Sequence, residues 1–168
     1  MIVRNPDQRV AVLVDTQNLY YSAKNLYNKK INFRNLLNMA VQERILIRAI
    51  AYVIEVDIDR EAVFFEALNN AGFEVKMKPI QVFVGGAKKG DWDVGIAMDA
   101  VRLSQKVDSI VLVSGDGDFT PVVNYIQQST GSLVEVMAFE RTTNKALKDM
   151  ADDFINIEEH HKDLLFKG

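Results

Sequence analysis

Two short, almost wholly apolar runs stop abruptly at polar and acidic residues, and this feature constrains the fold more tightly than any other. Arg9–Asp15 (RVAVLVD) sets five aliphatic residues directly before a carboxylate. Ser109–Ser114 (SIVLVS) runs straight into Gly115-Asp116-Gly117-Asp118. Runs this short, apolar at every position and rich in β-branched residues, read as strands buried on both faces, as in a parallel sheet covered by helices. Ile45–Val56 reads the same way, as a central strand.

Between these runs lie helical signals. Gln17–Tyr27 is a helix or loop rich in Asn and Tyr. Asn32 caps a predicted helix over Phe33–Glu43, whose Phe33, Leu36, Leu37 and Ala40 fall at helical spacing. Asp57 or Asp59 is the expected cap of the next helix, which ends at Gly72. Phe73–Val84 reads as a strand in which Pro79 marks an edge or an end. A loop at Gly85–Gly90 (GGAKKG) precedes a helix from about Asp91 to Gln105. A helix at Phe119–Thr130, a strand at Ser132–Phe139, a helix at Thr142–Met150 and a short strand at Phe154–Ile157 complete the pattern. The expectation is one α/β domain over residues 1–168, with a core at about 9–157 and a polar tail at 158–168. Alternating strands and helices imply right-handed crossovers and a mainly parallel sheet in a three-layer arrangement.

Composition narrows the function classes. The 168 residues are 48% hydrophobic and 26% charged and contain no cysteine, which excludes disulfides and thiolate metal sites. No apolar run reaches the ~20 residues of a membrane span. The amino-terminal residues carry no signal-peptide core, so a cytoplasmic protein without a membrane partner is expected. A net charge of −3 argues against a broad basic face that binds nucleic acid by counterion release. Contact with a polyanion must be local or bridged by cations.

In parallel α/β sheets, ligands sit beyond the carboxyl ends of the strands, where strand order reverses. Asp15 and Asn18 follow the first strand, Asp116 and Asp118 follow the fourth, and Asp91 and Asp93 open a helix at the same edge. The ordinary reading is that such residues form turns and cap helices. Their joint placement at one edge points instead to a carboxylate pocket. Carboxylates that close repel one another unless a hard cation compensates, and Mg²⁺ takes oxygen ligands. Asp99 lies six residues after Asp93, about 240° around the helix, so Asp93 is the expected pocket residue and Asp99 a structural group.

Three ordered motifs carry a resemblance. Val14-Asp15-Thr16-Gln17-Asn18-Leu19, Lys89-Gly90-Asp91-Trp92-Asp93-Val94 with Asp99, and Ser114-Gly115-Asp116-Gly117-Asp118-Phe119 resemble the motifs of the NYN domain, LabA-like branch, in the PIN-like nuclease superfamily. The resemblance spans roughly Arg9 to Ile157. It implies a PIN-like fold with strand order 3-2-1-4-5 and metal-dependent ribonuclease chemistry. Position by position, it implies that Asp15, Asp93, Asp116 and Asp118 are the catalytic and metal-binding residues, with Mg²⁺ or Mn²⁺ as cofactor and Asn18 as a polar partner.

Lys88 and Lys89 flank the acidic loop and could take a phosphate of single-stranded RNA. Tyr20, Tyr21 and Trp92 could stack on unpaired bases, although aromatics at helix starts more often join the core. Arg141, Lys145 and Lys148 read as a solvated stripe, and His160-His161 lack neighbours at metal-ligand spacing. Homodimerisation is left open. A haloacid-dehalogenase-type phosphatase would need an aspartate two residues after Asp15, where this chain has Gln17. The non-enzymatic rival is a LabA-like regulatory module that binds RNA or a protein.

Overall fold

The computed structural model describes residues 2–55, 58–79, 81–82, 84–85, 88–89 and 91–167, with backbone alone for 58–61, 81–82 and 88–89. Its strands are β1 (Arg9–Asp15), β2 (Ile45–Glu55), β3 (Glu74–Pro79), β4 (Gln81–Val82), β5 (Lys88–Lys89), β6 (Ser109–Val113), β7 (Leu133–Ala138) and β8 (Asp153–Asn156). Its helices are α1 (Thr16–Tyr27), α2 (Phe33–Val41), α3 (Ile58–Ala71), α4 (Asp93–Ser104), α5 (Thr120–Ser129), α6 (Lys145–Met150) and α7 (His161–Leu164).

Six strands form one all-parallel sheet in the order β3-β2-β1-β6-β7-β8, with β4 and β5 as a separate antiparallel pair. Numbered within the sheet, the order is 3-2-1-4-5-6, the expected one extended by the short sixth strand. Period-two alternation explains why β1 and β6 are apolar throughout. Val10, Val12, Val14, Val111 and Val113 enter a core shared with Leu19 and Ala23 of α1, Leu36 and Leu37 of α2, and Leu68 of α3. Ala11, Leu13, Ile110 and Leu112 face the opposite core, with Ile96 and Leu103 of α4, Val123 and Ile126 of α5, and Leu147 of α6. Each fully buried aliphatic side chain contributes about 1.5–3 kcal/mol, so both faces need their helices. The order reverses between β1 and β6, which opens a crevice at their carboxyl ends.

Several elements depart from expectation for identifiable reasons. Ile45, Leu46 and Ile47 of β2 are exposed rather than buried, because β3 begins to pair only at Ile50. The strand expected over Phe73–Val84 ends at Pro79, on the edge strand where proline is tolerated, and the small β4–β5 pair replaces its continuation. Asp57 lies outside the described residues, and Asp59 falls inside α3. The helix expected over Thr142–Met150 is broken: a 3₁₀ turn at Glu140–Thr142 precedes α6, whose cap is Asn144, its side chain accepting from Leu147 N at 3.2 Å. The expected polar tail folds back onto the core. Leu164 and Leu165 are buried, Asn32 N donates to Leu164 O at 2.8 Å, and Phe166 N donates to Lys30 O at 2.9 Å. A pair of leucines in a polar stretch is a weak signal, but it fills the space beside α2.

Toward the amino end of the sheet, Glu135 is fully buried yet fully compensated. It accepts from Arg44 at 2.8 Å and Arg4 at 2.7 Å, and from the Ser109 hydroxyl at 2.5 Å. Among the described residues, no helix is long and apolar enough to cross a membrane.

Candidate metal centre

The crevice is built by strand register. Val14 pairs with Val113, so the next residues, Asp15 and Ser114, emerge side by side. Ser114 Oγ donates to Asp15 Oδ2 at 3.0 Å and accepts from Asp116 N at 3.2 Å, tying both carboxylate residues to one hydroxyl. Asp15 also caps α1, accepting from Asn18 N at 3.3 Å, while Asn18 Oδ1 accepts from Gly115 N at 3.0 Å. The start of α1 is anchored from below by Thr16 Oγ1, which donates to Tyr52 O at 2.5 Å. Asp93 is the first residue of α4, and its N–H donates to Asp91 Oδ1 at 3.2 Å.

These elements bring Asp15, Asp93 and Asp116 together, with one oxygen of each lying within 4.8 Å of the others. Asp118 is not drawn into the trio. Asp116 Oδ1 accepts from Asp118 N at 2.9 Å to cap a 3₁₀ turn at Gly117–Phe119, which leaves Asp118 exposed on the rim. The glycines of this turn are required by close approach rather than by unusual φ. A Cβ on Gly115 would stand 2.8 Å from Thr143 Oγ1, and one on Gly117 would stand 2.6 Å from the Asn144 side chain. The broken helix after β7 therefore forms a wall against the acidic turn, held by Asn144 N donating to Gly115 O at 2.9 Å.

Electrostatics set the crevice apart from the rest of the molecule. Burial raises the Asp15 carboxyl; hydrogen bonds from Asn18 and Ser114 pull it back, Asp116 and Asp91 push it up again, and the balance stays above the ordinary range. Asp93 is pushed up to about 7, first by burial and then by Asp116, Asp91, Asp15 and Asp118. Among the described residues, no lysine or arginine forms an ion pair with the trio.

Asp99 is elsewhere, as its helical rotation predicts. It accepts from Tyr52 OH at 2.7 Å, Lys76 Nζ at 2.7 Å and Arg102 at 2.5 Å. Burial alone would raise it, but Lys76, Tyr52 and Arg102 outweigh that and hold it below the ordinary carboxylate range. Trp92 also has a structural role: Nε1 donates to Val53 O at 2.9 Å, and its ring packs on Tyr52 and so close over Gly95 that a Cβ there would meet it at 2.6 Å. Tyr20 and Tyr21 are 54% and 53% exposed, so they are free to meet a ligand. The side chains of Lys88 and Lys89 lie outside the described residues. Sequence reasoning missed Ser114 as a bridge between the carboxylates; its signal was a hydroxyl residue closing a buried strand. The wall at Thr142–Asn144 had no local signal.

The NYN domain family model matches residues 9–158. The chain belongs to the NYN domain family. NYN domains have a PIN-like nuclease fold, in keeping with the sheet order and the acidic cluster described above. The chain is 24% identical over 159 residues to the low amplitude and bright protein LabA of Synechococcus elongatus, an alignment covering 90% of this chain and 84% of LabA. A protein of unknown function from Vibrio parahaemolyticus, VPA0982, is 38% identical with a TM-score of 0.87, covering 98% of this chain and all of that one. These likenesses place this NYN domain in the LabA-like branch.

Proposed function

We propose that this chain is a cytoplasmic, divalent-metal-dependent ribonuclease that cuts single-stranded RNA at the crevice between β1 and β6. The observation that carries the reading is the convergence of three carboxylates without a described counter-charge. The donor set fits Mg²⁺ or Mn²⁺: all oxygen, each within 4.8 Å of the others, near enough for small side-chain shifts to bring them onto one ion, whose opposite oxygens stand roughly 4 Å apart at bonds of about 2.0–2.1 Å. Asp15, Asp93 and Asp116 would hold the ion, and Asp118 would act at the rim through ordered water. A bound divalent ion supplies Lewis acidity toward the phosphate and acidifies water at the site. Ser114 and Asn18 fix the orientation of Asp15 and of the Gly115–Asp116 backbone. Asn18, Lys88 and Lys89 would contact the RNA.

The test is Mg²⁺- or Mn²⁺-dependent cleavage of single-stranded RNA by folded protein, lost on Asp15→Asn and on Asp116→Asn. A second reading, a regulatory module that binds RNA or a protein without cutting, draws on the LabA relative, whose name states no reaction. Folded wild-type protein that cleaves no RNA with either metal would select it.

A further inference from the structure

We propose that Lys78 is a phosphate-binding arm of this crevice, held ready by Trp92; the proposal rests on the ribonuclease reading above. A chain of net charge −3 that clusters aspartates at its site must offer a polyanion some local positive charge. Register locates Lys78. Asp15 pairs with Tyr52 and Tyr52 pairs with Lys76, so Lys78 stands two residues nearer the carboxyl edge than the level of Asp15. Alternation puts it on the same face as Lys76, which reaches Asp99 of α4, the helix whose first residue is Asp93.

The two lysines differ in what holds them. Lys76 is paired with Asp99 at 2.7 Å, so its charge is largely neutralised. Lys78 Nζ lies 4.8 Å from the centroid of the Trp92 ring and, among the described residues, makes no ion pair. An indole face orients an ammonium without cancelling its charge. Trp92 is itself fixed by its bond to Val53 O and by its close seat on Gly95, and it directly precedes Asp93 in the chain. Lys78 is therefore pre-positioned on the Asp93 side of the crevice, with no carboxylate partner among the described residues. Its ligand is a phosphate of the RNA strand flanking the one at the carboxylates.

The experiment measures binding of a fluorescein-labelled single-stranded RNA by anisotropy in Ca²⁺ across a salt series, with cleavage kinetics in Mn²⁺ alongside. Lys78→Gln is expected to raise Kd and KM about tenfold while leaving kcat within about threefold. It should also make the dependence of log Kd on log salt shallower by about 0.7, one phosphate contact. Lys78→Arg should restore both, and Lys106→Gln, beyond the far end of α4, should change neither. An unchanged salt slope in Lys78→Gln, or an equal change in Lys106→Gln, overturns the assignment even if cleavage is intact. Wild-type protein that binds the RNA without cutting it removes the ribonuclease reading, while the salt slope still decides for or against Lys78. No RNA binding by wild-type protein overturns the arm as well.

Discussion

Asp93 and Asp99 sit on one helix, six residues apart, and meet opposite fates. Asp99 faces Tyr52, Lys76 and Arg102 and is held below the ordinary carboxylate range. Asp93 faces burial and four other carboxylates and is pushed up to about 7. Both are Asp on α4, so residue type does not make the difference; the counter-charge supplied by the fold does. Glu135 repeats the first pattern, buried completely and matched by Arg44 and Arg4. The two buried carboxylates, Asp99 and Glu135, are matched by cations, whereas the half-buried trio at the crevice between β1 and β6 has no cationic partner among the described residues. An uncompensated cluster costs stability, and a divalent cation is the simplest partner that would repay it.

The sharpest way to break this comparison is to remove one carboxylate from each side. Asp116→Asn should lower metal-dependent RNA cleavage by about 10²–10³-fold or more, since the ion supplies several kcal/mol of charge stabilisation. The same variant should unfold no more easily than wild type without metal, because it relieves repulsion. Asp99→Asn should do the reverse, lowering stability in urea by about 2 kcal/mol, because it removes the counter-charge of Lys76 and Arg102 and turns one of the two acceptor oxygens into a donor. Its cleavage rate, once folded, should stay near wild type. An Asp99→Asn protein of full stability would mean that the compensated side of the comparison is illusory.

Two smaller effects sharpen it further. Gly117→Ala forces a Cβ to within 2.6 Å of Asn144, and should cost about 1–2 kcal/mol and disturb Asp116 more than Asp15. The pH dependence carries a definite sign. A carboxyl whose folded pKa is raised stabilises the fold while protonated, and that contribution is lost as pH climbs from the unfolded pKa through the folded one. Asp93, at about 7, and Asp15, also raised, should therefore make the metal-free protein less stable between about pH 4 and about pH 7. Asp99, being lowered, acts the other way and loses its contribution only as pH falls below the ordinary carboxylate range. Urea midpoints against pH would show the fall, flattened in Asp93→Asn; a rise across that window in the wild type would contradict it.

Much of this contrast was legible in the sequence because it follows from periodicity. Strands buried on both faces leave no alternation to misread, so β1 with its terminal Asp15, and β6 with the acidic turn that follows it, are read from the apolar runs. The 240° rotation between positions 93 and 99 separated the two aspartates before any contact was known. What stayed hidden depends on contacts between distant segments. Ser114 became a bridge only through its register with Asp15, and Asp118 left the trio because its backbone serves the turn capped by Asp116. The glycines of that turn mark a turn in the sequence, and the clearance they give Thr143 and Asn144 comes from a distant segment. Leu164 and Leu165 joined the core because α2 leaves a gap that no local pattern announces.

The most direct measurement is calorimetric titration of Mn²⁺ into the protein near pH 7, in two buffers of different ionisation heat. A crevice that holds Asp93 at about 7 should bind the ion and release part of a proton, so the observed heat should depend on the buffer. Asp93→Asn should lose that dependence and weaken binding, while Asp99→Asn keeps both. Wild-type protein that takes up no Mn²⁺, or Asp93→Asn that binds it with the same heat and proton release, would contradict the account.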